Sequence, residues 1–497
     1  MEWVAKLLPE IWLSVNILLF MSFLNFKSKD DFYSLYNLFN FSLFILVFSV
    51  LFQFYLLSTN NPSLESNLDL ANLDLSIGNL IIYSNGFFEL ISKLFISIIS
   101  VFISVSFYLY FKKGKEDFLH RYFKPDLLCV YLTIILGSFV LVSSNDFLTF
   151  LIGFELIAIP SYFAIAMDNK RAESLEGSMK YFLIGSLSTI SLILSILIFY
   201  IYSGSLVFSS NFGMFDYFGV KLAFVIFIMG LLIKLAAFPL SFWIQDAYAG
   251  SRTPYLLVIS TIPKLAVLFA FVKVILMVPY LNLGTFLFVF SLFSMVMGTF
   301  FALTNNDIRK ILAFSTITNI GYILIPFSSL QGNLVNNSQA LSVVYFYILQ
   351  YVLATILFIS VLIYLEEKYD TMDLEKLKGA LSNNPLLSVF IIVSLVTMAG
   401  LPPTSGFIAK FLLFAYSYSI SPFLVWVGII TSVISLYFYY RIAQELYVKN
   451  EKSEKIEVGF LNVFSNSVLS LMIVFMGFFP NLFLNIIYFA IISVFVK

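Results

Sequence analysis

Histidine and cysteine occur once each in this 497-residue chain, and charged residues make up only 11% of it. The single cysteine, Cys129 in an apolar run, excludes an intrachain disulfide, a cysteine-rich iron–sulfur motif and a cysteine zinc cluster. The single histidine, His120, lies beside Arg121 and Lys124 and reads as a solvated loop residue, so haem ligation by paired histidines is excluded. Basic and acidic residues balance at 28 each, which leaves no basic surface for nucleic-acid phosphate. The sequence also lacks a Gly-rich phosphate loop, a dinucleotide fingerprint and a metal-ligand cluster. Whatever energy drives this chain comes from elsewhere.

What is present is apolar. Hydrophobic residues are 60% of the chain and mean hydropathy is +0.96, against the roughly 25% charge of a soluble domain. Apolar runs of about 20 residues recur to the C-terminus, roughly 14 in all, each long enough to cross a bilayer as a helix. This implies an all-α polytopic membrane protein with no soluble domain. The first run, 11–26, has neither a basic leader nor a small-residue cleavage site and reads as a span that stays; no targeting signal is visible. Phe and Tyr (59 and 29) outnumber Gly and Pro (22 and 14), a usage that suggests an A+T-rich gene of the organelle kind.

Charge placement sets the topology. Lys and Arg cluster after odd-numbered spans: Lys27 and Lys29; Lys112, Lys113, Lys115, Arg121 and Lys124; Lys170, Arg171 and Lys180; Arg252; Arg309 and Lys310; Lys368, Lys376 and Lys378; Arg441, Lys449, Lys452 and Lys455. The even-numbered loops lack them, and the one at 58–86 carries Glu65, Asp69 and Asp74 instead. The positive-inside rule therefore puts the N-terminus outside and the basic loops in the cytoplasm or matrix. After residue 458 there is room for one span and a partial helix beyond Pro480, with the C-terminus expected outside.

Against this background Glu155, Lys234, Lys264 and Lys410 stand inside apolar stretches. A charge at the bilayer centre costs roughly 2.5 to 3.5 kcal/mol on insertion scales, so each needs a partner, water or a function, with structural pairing as the alternative. Glu155, in the run that follows the polar turn 143–146, reads as the only deep acid and the counter-ion of a lysine. A lysine whose proton depends on a movable partner suits a proton relay. Ser260 and Thr261 stand one turn from Lys264 and are expected to order water beside it. Lys273 reads as snorkelling to the interface, and Lys93 as a possible interface anchor.

Two of the runs are broken by proline: the seventh, at Lys234 to Pro239, and the twelfth, at Gly400 to Gly406 before Lys410. Unwound backbone at membrane depth survives only within protein or beside a wet cavity. The two breaks are five spans apart, so they enter from opposite sides. That is the pattern of inverted repeats with a transport site near the midplane.

Five segments now carry a resemblance: 144–156 (SNDFLTFLIGFEL), 180–186 (KYFLIGS), 233–243 (IKLAAFPLSFW), 306–315 (NDIRKILAFS) and 400–411 (GLPPTSGFIAKF). They resemble the antiporter-like membrane subunits of respiratory complex I, above all the NADH dehydrogenase subunit 2 (bacterial subunit N) family. The likeness is strongest over 125–441. Its length suits a version that keeps the three leading spans, which animal versions lack.

The resemblance implies spans 1–3 in 1–124, a first repeat in 125–280 (spans 4–8), an inverted second repeat in 281–447 (spans 9–13), and a final span and tail in 448–497. It implies Glu155 and Lys234 as a pair, Lys264 as the connecting lysine, and Lys410 as the lysine that exchanges protons with the outer side. NADH, FMN, iron–sulfur clusters and ubiquinone would belong to other parts of the complex. Partners would be neighbouring antiporter-like and small membrane subunits and lipids, in the mitochondrial inner membrane rather than a bacterial plasma membrane. Where many relatives carry histidine this chain has Ser241 and Asn319, so Ser315, Thr316 and Thr318 with water would bridge the charges. The alternatives are an Mrp-type cation/proton antiporter subunit and a purely structural subunit.

Overall fold

The computed structural model describes residues 6–22, 29–59, 75–77, 80–112, 126–168, 170–208, 218–277, 283–328, 334–448 and 455–495. His120, Arg121, Lys124, Glu65, Asp69, Asp74, Lys27, Lys113, Lys115, Lys449 and Lys452 lie outside these, as do residues 496–497 and the expected boundaries at 124–125 and 280–281. Among the described residues are eighteen helices and one two-stranded hairpin.

The leading helices are α1 (Leu8–Ser22), α2 (Lys29–Thr59) and α3 (Phe87–Lys112), with the hairpin β1 (Leu75–Ile77) and β2 (Leu80–Tyr83) before α3. Next come α4 (Asp126–Ser143), α5 (Phe147–Ala166), α6 (Ala172–Ser203), the broken pair α7 (Phe218–Leu235) and α8 (Phe242–Gly250), and the kinked pair α9 (Thr253–Ser260) and α10 (Ile262–Met277). The second set is α11 (Gly284–Thr304), α12 (Ile308–Ser328), α13 (Leu334–Tyr369), the broken pair α14 (Pro385–Ala399) and α15 (Ser405–Tyr418), and α16 (Pro422–Tyr447). The chain closes with α17 (Phe460–Phe478) and α18 (Pro480–Phe495). Among the described residues twelve segments are long and apolar enough to cross a membrane; Leu8–Ser22 and the broken pair α14 and α15 bring the spans to the expected fourteen, with α18 as the additional partial helix.

The two five-span sets repeat one design upside down. Asp146 caps α5 by accepting from the Leu148 and Thr149 backbone N–H groups, and Asp307 caps α12 through Arg309 and Lys310. Behind each cap the backbone makes the same two-bond bridge: Phe147 N–H to Leu206 O and Phe208 N–H to Asn145 O in one set, Ile308 N–H to Met372 O and Leu374 N–H to Asn306 O in the other. The first bridge joins the even-numbered loops and the second the odd-numbered ones, in accord with the alternation read from the charges.

Burial is graded. The windows in Thr253–Ile275 and Ser338–Tyr369 are 100% buried, whereas that in Ala172–Ser203 is 28% buried and turns an apolar face outward. Helices α9, α10, α12 and α13 therefore form the interior of the molecule. α13 is about 54 Å long at 1.5 Å per residue, longer than a hydrocarbon core of roughly 30 Å.

Candidate functional site

The first break begins where Ala236 takes a left-handed φ of 61° after α7. Pro239 has no N–H to continue the helix, and the freed groups find protein partners: Trp243 Nε1 donates to Ile233 O at 3.0 Å and Phe238 N–H to Ser294 Oγ at 2.9 Å. Lys234, in the last turn of α7, is buried. Its Nζ lies 4.7 Å from the ring centres of both Tyr162 and Tyr181 and 5.7 Å from that of Phe154, an aromatic box that stabilises a cation through the ring quadrupoles. Tyr162 OH is 3.5 Å from Nζ.

Glu155, half-buried on α5, accepts from Thr189 Oγ1 at 2.5 Å and makes no direct ion pair with Lys234. Tyr162 OH accepts from the Lys234 ammonium, and it occupies space that only a glycine at 185 leaves open: a Cβ there would lie 2.0 Å from it.

Lys264 lies one turn into α10, beyond the kink at Thr261, and is buried against Tyr248, whose hydroxyl accepts from Nζ. The Ser260 and Thr261 hydroxyls, one turn from this ammonium, donate to the Leu257 carbonyl, at 3.4 and 2.5 Å. Back-bonding of this kind is the usual local choice of Ser and Thr in a helix.

At the second break α14 ends on Gly400, φ 79°. Lys410 Nζ donates to Met398 O and Ala399 O at 3.0 Å each and to Ser432 Oγ at 3.3 Å. The ammonium thus sits on the carbonyl end of α14, where the helix dipole favours positive charge. Beside it opens a cavity of about 360 Å³ lined by Phe407, Phe411, Phe414 and Val433 among others.

Between Lys264 and Lys410 stand hydroxyls and one amide. Thr316 Oγ1 and Tyr351 OH are 2.9 Å apart, Ser315 Oγ and Tyr439 OH 2.5 Å, Tyr347 OH donates to Asn319 Oδ1 at 2.6 Å, and Tyr322 OH to Thr431 Oγ1 at 3.3 Å. Ser315, Thr316 and Asn319 belong to this set; Thr318 faces Thr299 on α11 instead. The tyrosines were not singled out from the sequence, because tyrosine in an apolar run reads as core or as an interfacial anchor.

Two expectations are corrected. Lys273 does not snorkel: it is buried, 2.9 Å from Glu89 and hydrogen-bonded to Ser84 Oγ, Val142 O and Ser144 O. Lys93 is no interface anchor: it is buried 2.6 Å from Glu10. Glu155 stays the acid at mid-span, although Glu10, Glu89 and Glu366 are all more buried. Each lies near a helix end in sequence, and only packing of a neighbouring helix over it removes it from water.

At the inner ends of the spans, Arg252 meets Asp168 at 3.0 Å, Glu366 at 3.4 Å and Asp370 at 2.5 Å, while Glu366 also accepts from the Thr253 N–H at 2.7 Å. Burial works against the Arg252 charge, but Glu366, Asp370 and Asp168 outweigh it and hold its pKa above the ordinary arginine value. Among the described residues no group of His, Cys, Asp and Glu could hold a metal ion.

Comparison with known proteins agrees with this fold. The family model described as NADH:quinone oxidoreductase/Mrp antiporter, TM, matches residues 144–435. NADH-quinone oxidoreductase subunit N of Pelagibacter ubique is 31% identical over 460 residues, covering 90% of this chain and 90% of that protein. A chain of respiratory complex I from Thermus thermophilus with bound Aureothin superposes with TM-score 0.75 at 23% identity, covering 98% of this chain and 99% of that one. A chain of the Mrp complex from Dietzia sp. DQ12-45-1b gives 0.80 at 17% identity, with 99% and 98% covered. Broken helices, inverted caps and sequence likeness converge: this chain belongs to the NADH:quinone oxidoreductase/Mrp antiporter transmembrane family.

Proposed function

We propose that this chain is a proton-translocating membrane-arm subunit of an NADH:quinone oxidoreductase. The observation that carries the reading is the placing of Lys234, Lys264 and Lys410, all buried, at the first break, the kink and the second break of two inverted repeats. In this reading the repeats are 125–280 and 281–447, preceded by 1–124 and followed by 448–497. Redox energy arrives through neighbouring membrane subunits as a shift in charge, and the chain needs no redox centre of its own.

The residues take the following roles. Glu155 and Lys234 form a pair that closes or opens as Tyr162 moves. Lys264 connects, passing a proton by way of Tyr248, the hydroxyls of α12 and α13 and intervening water. Lys410 exchanges with the outer side. An ammonium on helix carbonyls has acceptors but no counter-charge, so an approaching positive charge favours its deprotonation.

An Mrp-type antiporter subunit is the second reading, and the fold likeness to the Dietzia chain favours neither over the other, whereas identity to subunit N favours the first. Native-gel separation of mild-detergent extracts tests the choice: co-migration with NADH dehydrogenase activity is expected, and migration apart from any NADH-oxidising band moves the assignment to the antiporter. A mitochondrial inner membrane rests on composition, while the relative named above is bacterial; fractionation of the source cell decides the membrane.

A further inference from the structure

A second buried ionic network lies away from the relay, at the outer ends of α1, α3, α4 and α10. Glu10 Oε1 is 2.6 Å from Lys93 Nζ and accepts from Tyr83 OH at 2.6 Å, while Lys93 also donates to Tyr83 OH at 3.0 Å and to Asn85 Oδ1 at 2.5 Å. One residue along, Ser84 Oγ donates to Glu89 Oε1 at 2.7 Å and accepts from Lys273 Nζ at 3.1 Å, and Lys273 pairs with Glu89 at 2.9 Å. The segment 83–85 thus bridges the two ion pairs, and Tyr345 of α13 reaches the same level through Ser92, 2.6 Å away. All four charges are more than nine-tenths buried, and Glu10 Oε2 is buried with no hydrogen-bond partner among the described residues.

A purely structural strap between α1 and α3 would favour a satisfied carboxylate, since an unpaired buried acceptor is costly. A lone pair left open among the described residues, on an acid that meets its lysine both directly and through a hydroxyl, is what a proton acceptor needs. Lys273 is nine residues beyond Lys264 on the same helix, about 13.5 Å along its axis, which sets the network on the outward side of the relay.

We propose that this network is an outward proton-holding station, with Glu10 as the group that takes up and releases the proton. The inference rests on the reading that protons pass through this chain. A proton arriving on Glu10 Oε2 converts the carboxylate to the acid and leaves Lys93 an ammonium; its loss to the outer solution restores the pair. Internally, one Lys93 N–H breaks as the Tyr83 oxygen gains that proton, and the Tyr83 O–H breaks as Glu10 Oε1 gains its hydrogen. Both ions become neutral and Tyr83 is unchanged.

The test uses the assembled NADH-oxidising complex in sealed vesicles. Tyr83→Phe removes the bridging hydroxyl but keeps the Glu10 and Lys93 charges in contact, so a strap is preserved. The expected result is normal assembly with a proton-to-electron ratio lowered as far as in Glu155→Gln. An unchanged ratio in both Tyr83→Phe and Glu10→Gln, beside a lowered one in Glu155→Gln, overturns this inference alone; an unchanged ratio in Glu155→Gln overturns the proposed function itself. Glu10→Gln gives a second readout that a strap would not move: it removes a carboxylic-acid C=O band from the redox-triggered infrared difference spectrum, and a spectrum identical to the parent's overturns the station.

Discussion

The lysine in an aromatic box is the most exacting environment in the molecule. Lys234 has ring faces on three sides and one tyrosine hydroxyl at 3.5 Å. Methionine fills that volume without a charge, so Lys234→Met is expected to assemble and to lose proton pumping. A normal proton-to-electron ratio in the purified variant would exclude Lys234 from the relay. Gly185→Ala tests the same spot from behind: its Cβ displaces the Tyr162 hydroxyl, and pumping is expected to fall while the amount of assembled complex, read on native gels, is unchanged. The lysines themselves were legible in the sequence because burying a charge in a span is costly enough to stand out. Their surroundings were not. Tyr162, Tyr181 and Tyr248 carry no mark that distinguishes a box from a core, and Glu10 and Glu89 reveal their partners only when Lys93 of α3 reaches α1 and Lys273 of α10 reaches α3.

Among the elements, the breaks were readable and the corners were not. Proline within an apolar run announces a break on its own, whereas Asp146 and Asp307 look like ordinary turn residues until their backbone bridges are seen to match. The element with the widest reach is α13, which offers Tyr345 to Ser92 of α3, Tyr347 and Tyr351 to the hydroxyls and amide of α12, and Glu366 near the inner ends. Glu366 holds Arg252 and Arg309 and caps α9 through Thr253, so it ties the interior helices of both repeats together. Removing one member of such a buried set leaves uncompensated charge, at about 3 to 5 kcal/mol. Glu366→Ala is therefore expected to lower the thermal midpoint of the detergent-solubilised complex and the yield of assembled protein. Unaltered melting would show that the cluster adds nothing to stability.

For the whole molecule, the span count came from the apolar runs and the alternation from charge placement, and loops of like parity prove to be bonded to one another. Packing order could not be foreseen, because apolar runs of equal hydropathy do not say which is central; α13 and α6 have the same window hydropathy of 2.4 and opposite burial. The topology can be checked by labelling. Cys129 is buried, so background reaction is small. A cysteine replacing exposed Glu375 is expected to react with an impermeant maleimide only from the inner side, and one replacing exposed Ser419 only from the outer side. Reversal of either result would invert the assigned orientation.

The matched corners also bear on direction. Nine residues after Asp146 stands Glu155, and nine residues after Asp307 stands Thr316. A frame that looks the same when turned over cannot by itself tell one side of the membrane from the other. Whatever makes this chain a one-way valve must reside in the places where its halves disagree, and the carboxylate present in one and replaced by a hydroxyl in the other is the first such place to look.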